Sequence, residues 1–188
     1  MNKFLAIILL LTLDSCLSTK SSNKQATELP SPFEIFDVIS SVIKIDSLDY
    51  NHSIEKLLLP VKVYPIPYWP NDNTPPPPPP PGGFYYHHLL EILNSKNHIE
   101  RQNDSTFISL QSKRSKEILI VDSLTKKFEI GSDHVYQFKV PIFSSDKKRV
   151  YFEYWDNCGP LCGVCYGDLL YWTDSIWTRV EQFHCGIR

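Results

Sequence analysis

Arg149–Trp155 reads RVYFEYW, the clearest β-strand pattern in the chain and the stretch that decides the fold. Successive side chains of a strand point to opposite faces of a sheet. The alternation gives two sets, with Val150, Phe152 and Tyr154 on one face and Tyr151, Glu153 and Trp155 on the other. Before it, the turn-rich segment Ser144–Lys148 connects this strand to another predicted over Val135–Phe143.

The residues that follow favour further strands. Leu169–Trp172 and Ile176–His184 are rich in aromatic and β-branched residues, and the turn Thr173–Ser175 separates them. Upstream, three shorter segments are ambiguous but increasingly strand-like: Phe107–Gln111, Glu117–Val121 and Phe128–Ile130. The C-terminal half is therefore predicted to be an antiparallel β-sheet meander.

Helices are predicted before the sheet. Ser31-Pro32-Phe33-Glu34 has the form of a capping box with proline at the first helical position. Apolar residues then recur at helical spacing, which predicts a helix over Pro32–Lys44. A second, short helix is predicted over Tyr86–Leu93. The fold class is therefore α+β, with an N-terminal helix or helices followed by the sheet.

A proline-rich loop is predicted between these helices, at residues 65–83. Leu57–Tyr64 before it resembles a strand, but Pro60 restricts that strand to an edge or an irregular segment. The loop contains seven consecutive prolines, Pro75–Pro81, which favour a polyproline II rod about 22 Å long. Two interpretations stay open: a docking ligand for an aromatic groove, or a stiff loop lying against neighbouring aromatic side chains.

Composition limits the class of protein. The chain has 188 residues, of which 42% are hydrophobic and 21% are charged, and its net charge is −2. These values exclude a strongly disordered chain, a basic nucleic-acid-binding protein and a multi-pass membrane protein. Residues 31–188 are long enough to form a single domain with its own core.

The first 16 residues resemble a lipoprotein export signal. Asn2-Lys3 is followed by the ten-residue apolar run Phe4–Leu13, which is too short to span a bilayer. Leu13-Asp14-Ser15-Cys16 resembles a bacterial lipobox, although Asp14 departs from the usual small or apolar residue. The resemblance implies a signal peptide at residues 1–15, acylation of Cys16, and a polar tether at residues 16–30. The alternative is an ordinary cleaved signal in which Cys16 has no role.

Four further cysteines form a C-terminal cluster: Cys158, Cys162, Cys165 and Cys185. Two disulfides are the favoured interpretation for an exported protein, with the connectivity left open. The alternatives are a structural zinc site, a redox-active Cys162-x-x-Cys165 pair and an iron–sulfur motif. The last is disfavoured because only 23 residues follow Cys165.

The C-terminal region resembles a known family. Pro141–Ser144, Tyr151-Phe152, the element Cys158-Gly159-Pro160-Leu161-Cys162-Gly163 and Trp177 resemble small uncharacterised lipoproteins of Bacteroidetes-type bacteria. The resemblance covers about the last 50 residues. It implies a lipoprotein and brings no catalytic residues with it.

The predicted function is therefore binding or scaffolding at the cell envelope, without catalysis. The expected partners are a membrane, with the bacterial outer membrane favoured, and an envelope ligand or protein. No nucleic acid, metal or cofactor is expected. A possible binding face on the sheet is formed by Tyr151, Trp155, Tyr171 and Trp177, whose alternative role is core packing. The rival interpretation is an envelope enzyme or zinc module that uses the four C-terminal cysteines.

Overall fold

A computed structural model of the chain describes residues 28–48, 53–54, 57–58, 61–64, 83–113, 118–119, 135–159 and 161–187. The fold class is α+β, as predicted. The signal peptide, Cys16, most of the tether, residues 65–82 of the proline-rich loop and the strand predicted over Phe128–Ile130 lie outside the described residues.

The first helix, α1, covers Pro32–Ile45 and begins with the predicted capping box. The backbone N–H of Glu34 donates to Ser31 Oγ at 3.2 Å, and the backbone N–H of Ser31 donates to Glu34 Oε2 at 2.7 Å. Two of the N–H groups that a helix start leaves without partners are thereby satisfied. The second predicted helix is also present, as α2 at Tyr86–Ile92.

A third helix, α3, covers His98–Ser112 and was missed in the sequence. The strand-like interpretation of Phe107–Gln111 is wrong, since these residues form the last turns of α3. The helix buries only four residues, Asp104, Phe107, Ile108 and Gln111. They follow helical spacing, but two of them are polar, so the apolar periodicity is weak. Asn97 caps the helix by accepting the Glu100 N–H at 2.9 Å.

The described strands form one large sheet and two small ones. Their bounds are β1 Ser53–Ile54, β2 Leu57–Leu58, β3 Lys62–Tyr64, β4 Gly83–Tyr85, β5 Ile118–Leu119, β6 Val135–Phe138, β7 Ile142–Phe143, β8 Arg149–Gly159, β9 Cys162–Thr173 and β10 Ile176–Ile187. The large sheet has the order β1-β6-β8-β9-β10, and β7 also pairs with β8. All its pairs are antiparallel except β1 with β6. The small sheets pair β2 with β5 and β3 with β4.

Local backbone requirements explain where these strands turn and stop. Asp174 and Ser175 have φ values of 52° and 65°, which fit the two-residue turn preferred between antiparallel strands. Gly159, with φ of 140°, lies where β8 ends, in a conformation that favours glycine. The single strand predicted over Val135–Phe143 is instead β6 and β7, separated at Pro141, which has no N–H to donate.

Side chains cover both faces of the large sheet. On one face, α1 packs against β6, β8 and β9 through Ile35, Val38, Ile39, Val42, Phe138, Phe152, Tyr154 and Leu170. On the other, α2 and β3 pack against β7, β8 and β9 through Val61, Leu89, Leu90, Leu93, Ile142, Tyr151 and Leu169. The helix α3 contributes Phe107 to the first core and Ile108 to the second. None of the described helices is both long and apolar enough to cross a membrane.

Candidate functional site

Two disulfides join the C-terminal cysteines. Cys158 pairs with Cys162 and Cys165 pairs with Cys185, each with a Cα–Cα distance of 5.0 Å, which suits a disulfide. The first closes the turn between β8 and β9, and the second joins β9 to β10. The predicted disulfides are therefore present. Cys162 and Cys165 are bonded to other cysteines and not to each other, unlike the two cysteines of an oxidised redox-active C-x-x-C motif. In this oxidised state no thiolate is left among these four residues to bind zinc.

A cavity of about 310 Å³ lies beside the second disulfide, and we call it the disulfide pocket. Its walls are mainly aromatic and aliphatic, and two of its polar groups, Tyr151 Oη and Glu153 Oε2, lie 3.5 Å apart. It is lined by Phe84, Ile92, Tyr151, Glu153, Trp155, Cys165, Phe183, His184 and Cys185. An apolar cavity with a few convergent polar groups is the usual form of a ligand site.

The polar part of the disulfide pocket is centred on Glu153, which is only 3% exposed. Its Oε1 forms an ion pair with the buried Lys139 Nζ and lies 3.5 Å from Cys165 Sγ. Its Oε2 accepts a hydrogen bond from Tyr151 Oη at 3.5 Å. Burial raises the pKa of Tyr151 and the charge of Glu153 raises it further, so the phenol keeps its proton and stays a donor.

The register of the sheet explains this arrangement. Glu153 on β8 lies opposite Gly167 on β9, and Trp155 lies opposite Cys165. A Cβ atom at position 167 would be 2.6 Å from Tyr151 Oη, closer than any unbonded contact of a real side chain. Gly167 therefore leaves the space in which the Tyr151 hydroxyl reaches Glu153.

The four residues of the predicted binding face do not share one solvent-exposed surface. Tyr151 is only 1% exposed, and with Tyr171 it packs on the α2 side of the sheet. Trp177 belongs to the core on the α1 side, where its Nε1 donates to Asp37 Oδ2 at 3.0 Å. The predicted platform is thus corrected to a pocket, to which Tyr151 and Trp155 contribute. Trp155 is only partly buried and lines that pocket.

Sequence reasoning missed the two charged residues of the site. The alternation of the strand places Glu153 between Tyr151 and Trp155 on one face, and a carboxylate between aromatic residues is the available signal. Nothing in the sequence pairs it with Lys139, because the contact depends on the register between β6 and β8. The backbone N–H of Lys139 donates to the carbonyl of Glu153 at 2.9 Å, which fixes that register.

A second cleft, of about 420 Å³, lies between the start of α1 and the turn before β8. Phe33, Trp172 and Trp177 are among its lining residues. Three of its charged groups make structural contacts: Lys147 Nζ bonds Glu34 Oε1 at 2.9 Å, and Asp37 accepts a hydrogen bond from Trp177 Nε1. The cleft therefore resembles a packing junction more than a ligand site.

A third polar cluster lies on the α1 side of the sheet. Arg179 Nη2 donates to Asp168 Oδ2 at 2.9 Å and also to Asp46 Oδ2. Tyr154 Oη donates to the same Asp46 oxygen at 2.8 Å. These bonds fix the end of α1 to three strands, and the cluster does not line either cavity.

Comparisons with known proteins leave the site to be interpreted from its own chemistry. No protein-family model, curated protein or solved structure matches the chain. The disulfide pocket, with its buried ion pair and its adjacent Cys165–Cys185 bond, is the candidate functional site.

Proposed function

We propose that this is an exported cell-envelope protein, anchored to the membrane by acylation of Cys16, whose domain binds a ligand in the disulfide pocket. The observation that carries the proposal is the pairing of all four C-terminal cysteines in two disulfides. Disulfides form and persist in oxidising compartments outside the cytosol. The lipobox-like Leu13–Cys16 and the resemblance to Bacteroidetes-type lipoproteins support the same location, and the outer membrane is the favoured one.

The shape and chemistry of the pocket support a small, mainly apolar ligand. A volume of about 310 Å³ is at the lower end of the range for small-molecule sites. The apolar walls favour an aliphatic or aromatic group, and the Tyr151 hydroxyl and Glu153 carboxylate favour one polar group on it. A bulky scaffolding partner would contact the rim alone, so binding is preferred to scaffolding.

The anchor is tested by the intact mass of the protein purified from membranes of its native host, under denaturing, non-reducing conditions. We expect a chain that begins at Cys16, carries added acyl mass, and is about 4 Da lighter than four free thiols require, as two disulfides demand. The matched control is Cys16→Ser, which should lose the acyl mass and leave the membrane fraction. A native chain without acyl mass would refute the anchor.

The pocket is tested with the uncharged fluorescent probe N-phenyl-1-naphthylamine, which combines an apolar ring system with one N–H donor. Trp155→Ala removes a wall of the disulfide pocket, whereas Trp172→Ala removes a wall of the other cleft. We expect the first to weaken binding about tenfold, equivalent to about 1.4 kcal/mol, and the second to have no effect. Equal effects, or none, would contradict the proposed site.

One observation favours a second candidate function, thiol chemistry in the envelope. The Cys165–Cys185 disulfide lines the disulfide pocket, and it lies against the buried Glu153–Lys139 ion pair, with 3.5 Å between Cys165 Sγ and Glu153 Oε1.

A further inference from the structure

The two cysteines of the Cys165–Cys185 disulfide differ in solvent exposure. Cys185 is exposed, whereas Cys165 is 1% exposed. A thiolate must reach the sulfur that it attacks. An incoming thiolate is therefore directed to Cys185 Sγ, and the sulfur of Cys165 becomes the leaving group.

The leaving sulfur has a route for its proton. Glu153 Oε1 contacts both Lys139 Nζ and Cys165 Sγ, so one carboxylate oxygen lies between an ammonium group and the sulfur. A thiolate released beside a lone carboxylate would be destabilised by like charge. The Lys139 ammonium offsets that charge and holds a proton that Glu153 is placed to transfer.

We propose that the Cys165–Cys185 disulfide is redox-active and exchanges with cysteine pairs of other exported proteins, with Glu153 as the proton-transfer residue. This deepens the second candidate function at the same pocket, and it rests on the proposed export of the domain. The established alternative for such a bond is a purely structural cross-link between β9 and β10.

The exchange balances in two steps. A thiolate of the partner attacks Cys185 Sγ, the Cys165–Cys185 bond breaks, and a mixed disulfide forms between the partner and Cys185. The Cys165 thiolate takes a proton from Lys139 through Glu153, and Lys139 regains a proton from water, which restores the ion pair. A second partner thiolate then attacks the partner sulfur of the mixed disulfide, which forms the partner's disulfide and releases the Cys185 thiolate to solvent. Two electrons pass from the partner dithiol to this disulfide.

The pocket specifies the kind of peptide that this exchange accepts. Cys185 is on the lining of the cavity, and Phe84, Ile92 and Phe183 are on its apolar walls. A cysteine flanked by apolar side chains would place its sulfur at Cys185 and its neighbours against these walls. Such cysteines are exposed in exported chains that have not completed folding.

The first experiment follows reduction by glutathione of the mature protein purified from its native host, in whichever fraction it is found. Samples are acid-quenched and alkylated, and peptide mass mapping quantifies each disulfide separately. We expect Lys139→Met to slow reduction of Cys165–Cys185 at least tenfold and to alter its pH profile, because it removes the proton source and leaves the Glu153 carboxylate alone beside the departing sulfur. The rate at Cys158–Cys162 should be unchanged. Loosening of the fold would instead speed reduction. An unchanged or faster rate at Cys165–Cys185 would overturn the proposal.

The second experiment keeps Lys139 intact and uses oxidised glutathione. Cys165→Ser leaves the exposed Cys185 thiol, and Cys185→Ser leaves the buried Cys165 thiol. We expect the first variant to form a mixed disulfide with glutathione at least ten times faster than the second. Similar rates would refute the assigned direction of attack. Neither experiment depends on acylation, so a protein without acyl mass would remove the anchor and leave these results independent of it.

Discussion

Gly167→Ala is the most direct test of the geometry of the disulfide pocket. An added Cβ at position 167 would meet Tyr151 Oη at 2.6 Å and two atoms of the same ring at 3.0 and 3.1 Å. The ring is 1% exposed and contacts Phe84 edge to face, with 5.1 Å between ring centroids. It therefore has little room to move away from the new methyl group.

The expected cost follows from this overlap. Inserting a methyl group into a well-packed core typically lowers the free energy of unfolding by about 1–3 kcal/mol. For a domain of this size each kcal/mol corresponds to a fall of about 2–4 °C in Tm. Tyr151→Phe removes the atom at 2.6 Å but keeps those at 3.0 and 3.1 Å. In the Tyr151→Phe background, Gly167→Ala should therefore lower the free energy of unfolding by a smaller amount than in the wild type, but still measurably.

The assay is urea denaturation of four proteins: wild type, each single variant and the double variant. Free energies of unfolding from this cycle give the coupling between positions 151 and 167. Gly186→Ala is the matched control, because the nearest atom to its Cβ would be on the edge of the partly buried Trp155 ring, at 3.2 Å. A Gly167→Ala cost below about 0.5 kcal/mol, or an equal cost in both backgrounds, would refute the reasoning.

Three further predictions concern the rest of the fold. Ser31→Ala should lower the free energy of unfolding in urea by about 0.5–2 kcal/mol, because it removes the cap of α1. Arg149→Met should lower it by about 3–5 kcal/mol in the same assay, because Arg149 Nη2 bonds the fully buried Asp104 at 3.2 Å. Burial alone would raise the pKa of Glu34 and of Asp146. Hydrogen bonds from Ser31 and Lys147 nevertheless hold the pKa of Glu34 below its usual value. Hydrogen bonds from Ser144 and Lys148 do the same for Asp146. The unfolded chain therefore binds more protons, so stability should fall as pH drops below about 4.3, and less steeply in Glu34→Gln when ΔG is measured at a series of pH values.

The sequence predicted those elements whose signals are local. The capping residues at Ser31 and Glu34 placed the start of α1, and the alternation along Arg149–Trp155 placed β8. The helix α3 was missed because its buried face includes Asp104 and Gln111. Those polar groups are satisfied by partners distant in sequence: Asp104 bonds Ser145, and Gln111 bonds the backbone of Phe143. Hydrogen-bond partners that are distant in sequence cannot be recognised from the apolar periodicity of the helix itself.

The site was predicted only in part, for a related reason. The cysteines and aromatic residues are conspicuous by type, and four of those singled out in the sequence line the pocket: Tyr151, Trp155, Cys165 and Cys185. The sides of the sheet on which the aromatic residues lie were not predicted, because the sequence suggested one covered face and the fold covers both. Trp177 lies under α1, whereas Tyr151 lies under α2. Which residues meet depends on how the helices divide between the two faces.

The ion pair Lys139–Glu153 is the strongest reason to regard the disulfide pocket as more than a packing defect. Removing two charges from water costs several kcal/mol for each ion, and apolar residues of similar size would often stabilise a core as well or better. The pair is therefore not explained by stability alone. It lies where one carboxylate oxygen meets a disulfide sulfur whose partner faces a cavity. A proton-transfer role at that sulfur accounts for the charge, its burial and its position together.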